Sequence, residues 1–208
     1  MTITQVAVGD DVTASKTNEI ITDVNLSGLF GIIPTSVAGT GVSYSATTGL
    51  VTFTAASTIS VNGCFTSNYA NYRIIWDIPT TSTNLNLTMQ LRVSGTNAAT
   101  AYDRIVNGGT GAIAAPTMVN NLNQTSWQVA AATTAQHHSI LDLWRPAVAV
   151  GTVGMLQGVG LTNPPTAAGT WAIQQASVFH RTATAYDGFT IAPSTGTCTG
   201  TLRIYGYN

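Results

Sequence analysis

Charge is what this sequence has least of. Only 7% of its 208 residues are Asp, Glu, Lys or Arg, against about a quarter in ordinary soluble domains. The 7 basic and 8 acidic residues nearly cancel, giving a formal net charge of −1. No basic stripe is available to neutralise phosphates, so nucleic-acid binding is excluded as an expectation. No apolar run approaches the length of a membrane-crossing helix, so no membrane insertion is expected. The segment Met1-Thr2-Ile3-Thr4-Gln5 has neither a charged n-region nor an apolar h-region, so no secretory signal is expected there.

Cysteine is equally scarce. Cys64 and Cys198 are the two in the chain, too few for a disulfide framework. Each stands where an inward-facing strand residue is expected, which makes both small buried hydrophobes. A Cys64–Cys198 bridge stays open if the first core strand and the last strand are neighbours.

The residues that catalysis needs are thin as well. His137 and His138 are adjacent, so in a strand they face opposite sides and cannot share a metal within one chain. His180-Arg181 follows Phe179 as a polar strand edge. No G-x-S-x-G elbow occurs. Asp77, Asp103, Asp142 and Asp187 all neighbour aromatic or Arg residues, a poor basis for a pair of glycosidase carboxylates. Pairing of Arg73 or Arg203 with Asp77 or Asp187 is the structural reading of those charges. The expectation is a protein that is not an enzyme, with no cofactor and no metal.

What fills the chain instead is threonine, at 35 residues the commonest type, with serine, asparagine and glycine. Thr is β-branched and half-polar, so it suits the solvated face of a sheet and disfavours helix. Tyr72, Ile74, Trp76 and Ile78 alternate with Arg73, Ile75 and Asp77. Leu85, Leu87, Met89, Leu91 and Val93 alternate with Asn86, Thr88, Gln90 and Arg92. Both have the period of a half-buried strand. Further strands are expected at 50–54, 58–61, 102–106, 127–129, 140–144, 147–157, 171–179, 188–191 and 201–207. Pro79 to Asn84, Ser94 to Asn97 and Asn163-Pro164-Pro165 supply turns and breaks. Ten or eleven short strands with turn signals between them predict an all-β antiparallel β-sandwich, jelly-roll-like.

Residues 1–33 stand apart, holding Asp10, Asp11, Lys16, Glu19 and Asp23. Thr13 or Ser15 caps a short helix running to about Leu26, with Ile20, Ile21 and Val24 as a narrow apolar stripe. So short a helix needs a partner: further copies around a symmetry axis, a larger assembly, or its own domain. The reading is a helical or extended docking segment over 1–33, with Ile20, Ile21, Val24 and Leu26 as docking or trimer contacts, and a sandwich over 34–208. Residues 97–125, with Asn107-Gly108-Gly109-Thr110-Gly111 and Asn120-Asn121-Leu122-Asn123, read largely as recognition loops. Trp76 and Trp144 are expected in the core. Trp127, beside a polar loop, is the candidate for stacking on a sugar, with Asn121 and Asn123 as further carbohydrate contacts.

Three blocks carry a resemblance. Gly63-Cys64-Phe65-Thr66-Ser67-Asn68-Tyr69-Ala70-Asn71-Tyr72-Arg73-Ile74, Leu91-Arg92-Val93-Ser94-Gly95-Thr96, and Tyr186-Asp187-Gly188-Phe189-Thr190-Ile191 with Gly200-Thr201-Leu202-Arg203-Ile204-Tyr205-Gly206-Tyr207 are similar to segments of bacteriophage minor tail and tail-fibre modules. The stretch Val8 to Asn18 is similar to the openings of phage fibre proteins. The resemblance covers about residues 34–208 and implies a homotrimeric virion β-sandwich on the tail or the capsid surface. Such a protein meets other virion proteins through its N-terminal segment and host-surface carbohydrate through its loops. The alternative is a capsid-decoration or head-fibre protein. Cys64 and Cys198 depart from the family's aliphatic residues.

Overall fold

A computed structural model describes residues 28–83, 85–110, 117–133, 136–161 and 171–208. Among these residues there is no helix. The docking residues Ile20, Ile21, Val24 and Leu26 lie outside them. The strands of the first half are β1 (Phe30–Gly31), β2 (Ser36–Ala38), β3 (Val42–Tyr44), β4 (Val51–Ala56), β5 (Ile59–Asn62), β6 (Asn71–Thr81), β7 (Leu85–Val93) and β8 (Thr96–Asn97). The second half gives β9 (Tyr102–Thr110), β10 (Thr117–Gln124), β11 (Trp127–Thr133), β12 (Gln136–Trp144), β13 (Thr152–Leu161), β14 (Trp171–His180), β15 (Gly188–Pro193) and β16 (Cys198–Tyr207).

These strands form two antiparallel sheets. The wide sheet runs β10-β9-β14-β13-β12-β6-β16-β4-β3, with β1 added on β16. The narrow sheet runs β11-β7-β15-β5-β2, with β8 added on β7. Within them sits an eight-strand jelly roll: β12-β6-β16-β4 faces β11-β7-β15-β5, and the chain crosses repeatedly between the two sheets. The predicted all-β sandwich is therefore the observed fold. Two excursions widen it. The hairpin β9–β10, between β7 and β11, and the pair β13–β14, between β12 and β15, join edge to edge and extend the wide sheet beyond β12.

The alternation of β6 decides which face is core. Tyr72, Ile74, Trp76 and Ile78 are buried, and β16 lays Gly206, Ile204 and Leu202 opposite the first three. Across the sandwich, Leu85, Leu87, Met89 and Leu91 of β7 and Phe189 and Ile191 of β15 complete the core. The turn before β6 is closed by Tyr72, whose hydroxyl accepts from Thr66 N at 2.6 Å and donates to Thr66 O at 2.7 Å. Gly63 turns the chain into this segment at φ +62°, a left-handed geometry that favours glycine. Gly206 lies directly under the Tyr69 ring, where a Cβ would overlap it.

The structure redraws several expectations. Phe30–Gly31 pairs with β16 and Ile32 N donates to Ile204 O, so the sandwich takes in residues before Pro34. Asn107 to Thr110 and Asn120 to Asn123 are strand rather than loop. Their backbones satisfy the sheet ladder, and outer strands need no apolar alternation to do so. Strand β13 spans Thr152–Leu161 rather than 147–157.

Replacing inward Ile74 by Ala is expected to cost about 2–5 kcal/mol in equilibrium denaturation. Arg203→Ala, at an exposed outward position of β16, is expected to stay within about 0.5 kcal/mol. Equal losses at the two sites would overturn this assignment of faces.

Candidate interaction surface

Most groups that chemistry might use are already engaged in holding the fold. The Arg73 guanidinium binds Asp142 through two 2.8 Å hydrogen bonds, Nε to Oδ1 and a terminal nitrogen to Oδ2. Its partner is thus neither Asp77 nor Asp187, because β6 and β12 place Arg73 directly opposite Asp142. This pairing raises the Arg73 pKa further above its ordinary value. Asp187 instead accepts from Ser94 N at 2.8 Å. Arg181 pairs with Asp103 at 2.9 Å. Arg203 is exposed on the wide sheet.

The histidines divide as adjacent strand residues must. His137 points into the sandwich with Nε2 2.6 Å from Ser139 Oγ, while His138 points outward, 3.9 Å from Asp77. Burial pulls the His137 pKa down to about 4, with the neighbouring His138 adding to the shift. His180 is a correction: it is buried rather than a polar edge. Its Nε2 lies 3.0 Å from Thr100 O, which can only accept, so the neutral ring carries its proton there. Nδ1 then accepts from the Tyr186 hydroxyl at 3.2 Å. Burial lowers this pKa too. Tyr102 and Tyr186 close around the ring at 4.3 and 5.2 Å between centroids. No cluster of three or more His, Cys, Asp or Glu suited to a metal occurs among the described residues.

Trp127 is the second correction. It is buried, packs edge-on to Tyr102 at 5.1 Å, and donates its indole N–H to Asp103 O and Phe179 O, both at 3.1 Å. Its faces therefore cannot stack on a sugar. A polar neighbouring loop says nothing about which side of the strand an indole takes. Asn121 is half-buried in β10, and the exposed Asn123 gives its amide oxygen to Arg181 while its N–H donates to Asp103 at 2.8 Å. Trp76 is core as expected, but Trp144 is only half-buried, on the outward face of β12. Cys64 and Cys198 are buried free thiols, so no bridge joins them. Burial pushes the Cys198 thiol up to about 11 and the Cys64 thiol higher still.

Among the described residues, the outer face of the widened sheet remains free. Outward positions pair directly across it: Trp144 with Val153, Val153 with Phe179, and Val159 with both His138 and Ile173. Val153, Met155, Val159, Ile173, Phe179, Ile105 and Met118 are all exposed, between 38% and 78%. A groove of about 400 Å³ crosses these strands, with Asn107, Gln157, Gln175 and Ser177 as its polar lining and Ile105, Met118 and Met155 as its apolar flanks. Sequence reading missed this surface because it depends on two excursions meeting edge to edge.

Comparison with known proteins adds little. No family model matches the chain, and no curated protein matches it. Among solved structures, a protein of unknown function from Shewanella oneidensis MR-1 is 10% identical, with 97% of each chain covered and a TM-score of 0.21. The catalytic domain of PdAgaC is 7% identical, with 86% of this chain and 76% of that chain covered, at a TM-score of 0.19. Neither score supports an argument about fold or function.

Thiol reagent should label neither cysteine in the native protein and both after denaturation without reductant; a single labelled thiol, or none, in the denatured state would contradict the free pair. The buried histidines set an acid limit. An unfolded His protonates near its ordinary 6.5 and the folded His137 only near 4, so the unfolded state takes up the proton first. Stability is full above pH 6.5 and falls by about 3 kcal/mol from this residue as the pH drops to 4. His180 acts in the same direction. Unfolding free energies measured from pH 7.5 to 4.5 should fall less steeply in His137→Gln than in the wild type.

Proposed function

We propose that this chain is a structural protein of a bacteriophage virion, a tail-fibre or tail-tip module that acts as a homotrimer and contacts carbohydrate on the host surface. The observation that carries the reading is the outer face of the widened sheet. It is broad, exposed and rich in apolar and neutral polar side chains, whereas the carboxylates Asp103, Asp142 and Asp187 and all three histidines have partners within the fold. A surface built for contact rather than for chemistry suits an assembly or adhesion protein. The three sequence blocks that resemble phage fibre modules support the same reading, and two of them form the paired strands β6 and β16.

In this reading the sugar-contacting part is the β9–β10 hairpin at the outer edge of the sheet. Asn120 presents an exposed amide there, a group that pairs with sugar hydroxyls without charge. Capsid decoration is the second reading, favoured by the same charge-poor face, which would lie equally well against a protein lattice. Copy number separates the two. Quantified against major capsid protein in purified virions, a few dozen copies or fewer fit the tail and hundreds fit decoration. Purified protein is expected to bind host cells, and Asn120→Ala to weaken that binding severalfold; absence of binding by the wild type would count against the receptor role.

A further inference from the structure

The β13–β14 pair that widens the sheet is amphipathic the wrong way round for a free monomer. Strand β13 turns Thr152, Gly154, Leu156, Gly158 and Gly160 into the sandwich and Val153, Met155, Gln157 and Val159 outward. Strand β14 turns Gln174, Ala176, Val178 and His180 inward and Ile173, Gln175, Ser177 and Phe179 outward. At Gly154 and Gly158 the inner side has no room for larger groups. A Cβ on Gly154 would overlap Leu143 and Val178, and one on Gly158 would overlap Ser139. Apart from Leu156 and Val178, the inward residues of these strands are small or polar, while Val153, Met155, Val159, Ile173 and Phe179 face out. A solvated sheet face normally alternates the other way, apolar in and polar out.

We infer that this face, over β12, β13 and β14, is covered by a second copy of the same chain. The inference rests on the homotrimer proposed above and names its contact surface. Three observations favour a copy over a different partner. The outward residues of β13 and β14 carry no charge, and Asp142 on the flanking β12 is already paired with Arg73, so copies of this face meet without like-charge repulsion. Together with the adjoining β9, whose Ile105 is also exposed, these make four strands about 4.8 Å apart and nine residues long at about 3.3 Å per residue, roughly 600 Å² in projection, about three quarters of the roughly 800 Å² per partner of a stable interface. The relief also suits a head-to-tail contact of the kind that closes into a ring of three. One apolar ridge is Trp144, Val153 and Phe179, another is Val159 and Ile173, and the amide-lined groove between them can receive a ridge of the copy. Gln157, Gln175 and Ser177 then offer hydrogen bonds across the contact.

Light scattering on the 208-residue chain tests this. The wild type should be a trimer, and Val159→Lys with Ile173→Lys, which sets two cations side by side on the face, should weaken association at least tenfold and yield monomer. Thr54→Lys, at an exposed position on β4 away from the face, should remain trimeric. Circular dichroism should show the strand content of all three unchanged. If the double variant does not fold, Met155→Glu carries the same test alone. A double variant as trimeric as the wild type would overturn the assignment of the face and leave the homotrimer standing. A monomeric wild type would overturn both, leaving another protein as the cover of this face.

Discussion

The pairing of β6 with β16 is the constraint on which the rest depends. It joins a segment near the first third of the chain to the last residues, setting Ile74 opposite Ile204 and Trp76 opposite Leu202. Closing so long a loop has an entropic cost that only a continuous buried face can offset. The two strands supply it, with Tyr72, Ile74, Trp76, Ile78, Leu202 and Ile204 all on the core side. Each strand then has a free edge: β16 takes β4 and β1, and β6 takes β12. The narrow sheet repeats the scheme, with β15 between β5 and β7.

Because β12 is the outer strand of the jelly roll, it is also where the sheet can grow. The β13–β14 pair and the β9–β10 hairpin come from different parts of the chain, yet they meet as consecutive strands. Trp127 holds that meeting from beneath. Its single N–H reaches carbonyls of both β9 and β14, at Asp103 and Phe179. A residue that reads as a ligand platform is thus a tie between two insertions, and the same packing explains why Tyr102, His180 and Tyr186 are buried beside it. The widened sheet is what separates this molecule from a bare eight-strand roll.

Much of the fold was legible in the residues. β6 and β7 are half-buried strands whose alternation survives intact, and every expected strand from 50 to 61 and from 171 to 207 exists. The extension was less legible for a physical reason. β9 and β10 carry Asn, Gly and Thr where pattern reading needs apolar residues, and the backbone ladder holds them without such a signal. In β13 the alternation is present but inverted, so its period gives a strand and its phase gives the wrong buried face. Which carboxylate Arg73 would meet was likewise outside the reach of spacing, because Asp142 arrives from a strand 69 residues on.

By itself the sequence determined the class of the fold, the neutral surface, the buried core of β6 and β7, and the opposite facing of His137 and His138. Those properties follow from composition and from the period-2 geometry of a strand, which are local. Tertiary structure alone decided which strands are neighbours, that Cys64 and Cys198 stay free, that Trp127 is inside and Trp144 at the surface, and that a large apolar face is left open by the described residues. Each of these depends on where distant segments meet, and that is set by the closure of β6 on β16 and by the strands that then find an edge to join.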